Sequence, residues 1–305
     1  MSKYDVSKFR NVTVAFNTPF DKSGEVDLKG CKNLARYFCN KGLHQLYVCG
    51  STGEGFLMSH DERKKVVEAV MDEVGGEMNV IVHVGDASTK FASELAAHAA
   101  KAGADATSAV PCVYYRPSEE GVYRHWQGIT EAADIPFFIY NIPQLTGFNL
   151  SMNLFNRMLK NERVAGIKCS SDPAQDVLRF KQAGGKDFIV FSGCDEQYLA
   201  GRILGADAGI GGTYGAMPEL YLKIEEIIRR GNEFDKALEL QGKITALIYR
   251  LCDIGLYGAV KAILRINGVE CGEPRLPFLP VSSTDPVLVK LNNDINATIE
   301  ETKNW

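Results

Sequence analysis

Short unbroken apolar runs alternate along this chain with stretches whose apolar residues recur every three or four positions, over about 220 residues. The runs predict strands at 11–17, 45–49, 79–84, 106–110, 135–140, 164–168, 188–192 and 207–211. Between them the spacing predicts helices. Asp27 caps one running to Lys41, with Leu28, Cys31, Leu34, Ala35 and Phe38 on one face. Ser59 and Glu62 form a capping box ahead of Val66, Val67, Val70, Met71 and Val74. Ser88 or Thr89 opens a third helix, and further helices are expected at 118–132, 150–159, 173–182, 195–204 and 218–230.

Strands that read as continuous apolar runs are buried on both faces, which indicates a parallel sheet covered by helices. Eight strand–helix units suit a closed (β/α)8 TIM barrel. A doubly wound sheet usually has fewer units and wants a phosphate-binding first turn. The rest of the chain reads as appended helices at 233–255, 258–267 and 284–301, with a proline-rich turn at 274–280. The expected organisation is one structural unit, a barrel over 1–230 and a helical extension over 231–305 packed on it.

Composition narrows the function by exclusion. The chain has 305 residues and a formal net charge of −4, which gives no footprint for nucleic acid or an anionic membrane. No apolar run approaches the roughly 20 residues that span a bilayer. The first ten residues have no signal-peptide core, so a cytoplasmic location is expected. The eight cysteines show no Cys-x-x-Cys pair and read as reduced thiols, and the five histidines form no ligand spacing. A metal has no positive support.

In a barrel the strand C-termini share one mouth, where the chemistry sits. Lys168 closes the run Val164-Ala-Gly-Ile167 there. Burying an ammonium is costly, and burial favours the neutral amine that attacks a carbonyl. The plain alternative is a lysine turning out to solvent. Tyr140 ends the preceding strand, 28 residues earlier, and strands lie about 4.8 Å apart, so phenol and amine can reach one bound atom. The turn Gly50-Ser51-Thr52-Gly53-Glu54 offers hydroxyls and backbone N–H groups to a carboxylate. Asp195 and Glu196 read equally well as first-turn helix acids and as acceptors for polyol hydroxyls. Gly209-Ile-Gly211-Gly212 has half of a dinucleotide fingerprint, but in the eighth unit rather than the first.

Gly50-Ser-Thr-Gly-Glu54, Tyr140-Asn-Ile-Pro-Gln-Leu-Thr-Gly147 and Gly166-Ile-Lys168-x-Ser170-Ser171 together resemble the dihydrodipicolinate synthase/N-acetylneuraminate lyase family, and the likeness spans nearly the whole chain. The resemblance implies a homotetrameric class I aldolase that acts on 2-oxo acids through a lysine Schiff base, with no other cofactor. It implies that Lys168 is the Schiff-base lysine, Tyr140 the proton-transfer phenol, and Ser51 with Thr52 the carboxylate binders. Ser170 joins the substrate-binding set as part of the lysine motif. Gly193-x-Asp195-Glu196 is similar to the lyase segment that binds a sugar's glycerol-like tail. Leu145 stands where the synthases usually carry an arginine, which favours the lyases. Two departures from the lyases remain. Gly212 replaces a serine, which leaves a related 2-oxo-3-deoxy sugar acid open beside sialic acid. Pro111-Cys-Val-Tyr114-Tyr115-Arg-Pro117 is closer to the synthases, whose tyrosine reaches a neighbouring subunit's site; Tyr114 is the better match, with Tyr115 adjacent.

Overall fold

The computed structural model, which describes residues 2–305, closes the eight strands into a parallel barrel in sequence order, β1 pairing with both β2 and β8. The strands are β1 Thr13–Ala15, β2 Gln45–Val48, β3 Asn79–His83, β4 Ala106–Ala109, β5 Phe137–Asn141, β6 Val164–Cys169, β7 Ile189–Ser192 and β8 Ala208–Gly211. Every ladder except the closing β1–β8 pair joins strands consecutive in sequence.

Two apolar layers hold this arrangement. Inside the barrel, Tyr47, Ile81, Phe138, Tyr140, Ala165, Ile189, Phe191 and Ile210 fill the interior. Phe9, on a 3-10 turn at Ser7–Phe9, plugs the bottom with its ring edge-on to Phe138 at 5.1 Å. Outside, the alternate strand residues pack against the helical stripes, among them Leu34, Phe38, Val66, Val70, Leu95, Ala96 and Trp126.

The helices are α1 Leu28–Asn40, α2 His60–Val74, α3 Thr89–Lys101, α4 Glu119–Ala132, α5 Pro143–Thr146, α6 Met152–Met158, α7 Gln175–Gly184, α8 Tyr198–Ile203, α9 Pro218–Arg230, α10 Phe234–Ile254, α11 Leu256–Ile266 and α12 Pro286–Thr302. Asp27 caps α1 by accepting from Gly30 N, and Ser59 and Glu62 close the capping box of α2. The last three helices lie beyond the barrel, as expected.

β1 is shorter than expected at both ends and β5 starts two residues later, while the differences that bear on the site lie at the mouth. Strands β5 and β6 each run one residue further, so Lys168 is the penultimate residue of its strand, not the last. The helix expected at 195–204 divides into a 3-10 turn at Asp195–Gln197 and α8, because Asp195 turns inward to bond Thr213. The short α5 was not foreseen. It starts at Pro143, whose missing N–H costs nothing in a first turn, and stops at Gly147 with φ 64°.

Candidate active site

Lys168 reaches the barrel interior because β6 carries an irregularity. Phe137 pairs with Val164 but Phe138 pairs with Gly166, leaving Ala165 as an extra residue. A bulge of this kind resets the two-residue alternation of side chains. Val164 faces the helices, Ala165 faces inward, Ile167 faces the helices again, and Lys168 comes opposite Tyr140. Gly166 suits the bulge, since a Cβ there would lie 2.3 Å from Ile189 O. Buried Lys168 then donates from Nζ to Tyr140 Oη at 2.9 Å. The Nζ stands 4.0 Å from the Tyr140 ring centroid and 5.2 Å from that of Tyr47. Solvent exposure, the plain alternative for this lysine, does not occur.

The glycine-rich turn after β2 is strained and braced. Cys49 and Glu54 both hold left-handed backbone, φ 60° and 56°, which costs about 1–3 kcal/mol each for a residue with a side chain. Gly55 closes the turn by donating to Gly50 O at 3.0 Å, and a Cβ on it would sit 2.0 Å from Cys49 O. Thr18 Oγ1 donates to Gly53 O at 2.7 Å. On the far side His83 Nδ1 lies 3.2 Å from Cys49 O. Burial, reinforced by the nearby Arg63 charge, pushes the His83 imidazole well below its ordinary pKa, so the ring is neutral. A carbonyl only accepts, so the proton resides on Nδ1. Arg63, itself buried, donates to His83 O at 2.7 Å and Gly85 O at 3.0 Å. Ser51 and Thr52 are thereby held half-buried at the mouth.

The remaining wall comes from β6, β7 and β8. Ser170 is buried and its Oγ has no hydrogen-bond partner. Gly193 donates its N–H to Cys169 O at 2.8 Å and passes so close that a Cβ on it would lie 2.0 Å from Ser170 Oγ. Asp195 is buried. Its Oδ2 accepts from Thr213 N at 2.9 Å and Thr213 Oγ1 at 2.7 Å, while Oδ1 has no partner. Desolvation pushes its carboxyl up to about 6, against the opposing pull of the Thr213 bonds and of Lys168. Glu196, next along, is exposed. Gly212 faces Thr52: a Cβ added there would come 2.7 Å from Thr52 Oγ1. Lys168, Tyr140, Ser51, Thr52, Ser170, Gly193, Asp195, Glu196 and Gly212 therefore all belong to loops or strand ends at one mouth of the barrel.

The sequence matches the family described as "Dihydrodipicolinate synthetase family" over residues 8–296. It is 43% identical over 290 residues to the N-acetylneuraminate lyase of Mediterraneibacter gnavus, covering 94% of this chain and 92% of that protein. It is 36% identical over 287 residues to N-acetylneuraminate lyase 2 of Escherichia coli O6:H1, with 93% of each chain covered. This chain belongs to the dihydrodipicolinate synthetase family. Among solved structures it superposes on a catalytic-lysine mutant of the Ruminococcus gnavus sialic acid aldolase with a TM-score of 0.95 and 41% identity, over 99% of this chain and 100% of that one.

The chain also carries two tyrosines outside this cluster. Tyr114, with φ 70°, is 89% exposed, and Tyr115 meets it edge-on at 5.1 Å, also exposed. Neither joins Lys168 within one chain. Leu145, on α5, is exposed as well.

Several residues at the mouth escaped sequence reasoning. Tyr47 was only an apolar strand residue, yet its ring packs edge-on to Tyr140 at 5.9 Å and its hydroxyl donates to Ser108 Oγ at 3.0 Å. A polar-tipped aromatic inside an otherwise aliphatic run was the available signal. His83 ends β3 and buried Arg63 lies on α2, and neither residue type at its position signals a bracing role in the sequence. Among the described residues no group of three or more His, Cys, Asp or Glu is arranged to hold a metal ion, and no helix is long and apolar enough to cross a membrane.

Proposed function

We propose that this protein is a class I aldolase of the N-acetylneuraminate lyase type. It cleaves N-acetylneuraminate to pyruvate and N-acetylmannosamine through a Schiff base on Lys168. The observation that carries this reading is the buried amine of Lys168, 2.9 Å from the Tyr140 hydroxyl at the functional mouth of the barrel.

The chemistry follows from that pair. Lys168, as the neutral amine, attacks the C2 ketone of the open-chain sugar acid. Tyr140 gives its proton to the departing hydroxyl, and water leaves as the iminium forms. The iminium draws the electron pair of the C3–C4 bond while the Tyr140 phenolate, stabilised by the adjacent cation, takes the C4 hydroxyl proton. The aldehyde sugar departs. Tyr140 returns the proton to C3 of the enamine, and hydrolysis releases pyruvate and the free lysine. No cofactor beyond Lys168 enters the cycle. Ser51 and Thr52 bind the substrate carboxylate, and Ser170 with the Gly193 backbone lines the pyruvate end. Asp195 Oδ1 and Glu196 accept hydrogen bonds from the sugar chain.

Gly212 favours a second reading of the substrate. It leaves no side-chain hydroxyl beside Thr52, so a related 2-oxo-3-deoxy sugar acid with one contact fewer fits the same machinery. The synthase reaction, condensing pyruvate with aspartate semialdehyde, lacks its arginine at Leu145. The barrel of 1–230 and the extension of 231–305 act as one unit in a cytoplasmic homotetramer, with Tyr114 reaching the adjacent subunit's site. Its exposed aromatic ring supports that assignment.

Borohydride reduction with pyruvate, read by mass spectrometry, should add one reduced pyruvate to Lys168. Folded protein without that adduct is not an aldolase of this kind. A parallel assay of pyruvate release from N-acetylneuraminate and of pyruvate condensation with aspartate semialdehyde separates the subfamilies, and turnover in the second alone overturns the lyase reading.

A further inference from the structure

The helical extension touches the glycine-rich turn through charge buried inside the protein. Lys261, on α11, places Nζ 2.7 Å from Glu54 Oε1, and both side chains are 0% exposed. The other carboxylate oxygen of Glu54 accepts from Arg275 N at 2.7 Å. Lys261 also donates to Glu273 O at 3.2 Å. The Arg275 side chain continues the clasp, donating to Leu57 O and Gly24 O at 2.9 Å each and pairing with Glu62 in the capping box of α2. Both cations lie over the buried ring of Phe20, at 4.3 Å for Lys261 and 4.4 Å for Arg275.

Glu54 is an unexpected residue for its backbone. At φ 56° and ψ 32° glycine is the ordinary occupant, so the side chain is retained against a conformational cost. That side chain does one visible thing, which is to meet Lys261 and Arg275. Its backbone does another: Glu54 N donates to Ser51 O at 3.0 Å. The ion pair therefore stands one hydrogen bond from the residue that, in the proposed function, binds the substrate carboxylate. A buried pair of this kind adds little net stability over an apolar pair.

We propose that Glu54 and Lys261 are positioning residues for the 2-oxo acid carboxylate, through which the C-terminal extension sets the conformation of the turn bearing Ser51 and Thr52. The inference rests on the Schiff-base reading above. It assigns the extension a part in substrate affinity, with no contact to the substrate itself. Loss of the pair loosens the turn, so carboxylate binding weakens while the amine chemistry at Lys168 continues once pyruvate is bound.

The test is the pyruvate concentration that half-saturates borohydride trapping on Lys168. Glu54→Gln combined with Lys261→Met leaves no uncompensated charge in the interior, so the variant folds where either single change strands a buried ion. Its half-saturating pyruvate should rise at least about tenfold, with the adduct at saturation unchanged. Glu225→Gln combined with Arg202→Met is the matched control, because it removes the buried Arg202–Glu225 pair, 2.9 Å, on α8 and α9 away from the turn. It should lower thermal stability and leave half-saturating pyruvate within about twofold. Unchanged half-saturation in the double variant overturns the inference, as does an equal rise in the control. Absence of any adduct in the unmodified protein overturns the Schiff-base reading and this inference together, whereas an adduct with unchanged affinity in the double variant overturns the inference alone.

Discussion

Asp195→Asn should stabilise the protein at neutral pH and not at acid pH. The carboxyl of Asp195 is buried and pushed up to about 6 from the ordinary 3.8, desolvation outweighing the two Thr213 bonds and the attraction of Lys168. The folded chain therefore holds a proton that the unfolded chain releases. Stability associated with neutral Asp195 is complete below about pH 4 and is lost as pH rises toward 6, the raised-pKa direction of linkage. At 1.36 kcal/mol per pH unit, the shift amounts to about 3 kcal/mol by pH 7. Asparagine matches the neutral acid in shape, keeps an oxygen for the Thr213 donors, and does not titrate. All other ionisable groups are common to the two proteins, so their difference isolates this one. Urea unfolding at pH 4, 5, 6 and 7.5 should show the Asn variant gaining on the parent by about 3 kcal/mol across the series, most of it between pH 4 and 6. A flat difference, or one that shrinks as pH rises, would refute the reasoning. The gain has a functional counterpart. A sugar hydroxyl donating to Oδ1 relieves the desolvated carboxylate, so a long sugar acid should stabilise the parent more than the variant at pH 7.5.

Three further outcomes test the site. Tyr140→Phe should still accumulate the trapped pyruvate adduct on Lys168, more slowly, while kcat for cleavage falls by about 10²–10⁴, measured by coupled pyruvate release, because a positioned proton carrier contributes that range. Glu196→Gln should raise KM for a long sugar acid and leave pyruvate trapping intact; a fall in trapping would place Glu196 at the pyruvate end instead. The proposed reach of Tyr114 into an adjacent subunit predicts that Tyr114→Ala weakens self-association at least about tenfold in sedimentation experiments, as loss of an aromatic interface anchor does. Unchanged assembly would remove Tyr114 from the subunit interface.

The barrel was legible in the chain because burial on both faces of each strand leaves an unbroken apolar run, and helical stripes between the runs leave few alternatives to closure. Lys168 and Tyr140 were legible for the same reason. Consecutive strands of a parallel barrel are neighbours, so residues 28 apart at two successive strand ends come within reach of each other once both side chains face inward. Element ends were less legible. Asp195 looked like a first-turn helix acid, yet it bonds Thr213 across the gap between β7 and β8 and breaks its helix into a 3-10 turn.

Sequence by itself thus determined the architecture, the nearness of Lys168 to Tyr140 and the set of residues at the mouth, all consequences of local period and neighbour order. Tertiary structure alone decided which way those residues point and what holds them. The extra residue in β6 turns Lys168 inward, and nothing in the run Val164-Ala-Gly-Ile-Lys announces where the alternation slips. The pairing of Glu54 with Lys261 joins positions 207 apart, and the close approach of Gly212 to Thr52 joins the eighth unit to the second. Periodicity carries no information about such contacts, because they arise only when the barrel closes and the chain beyond it folds back over the mouth.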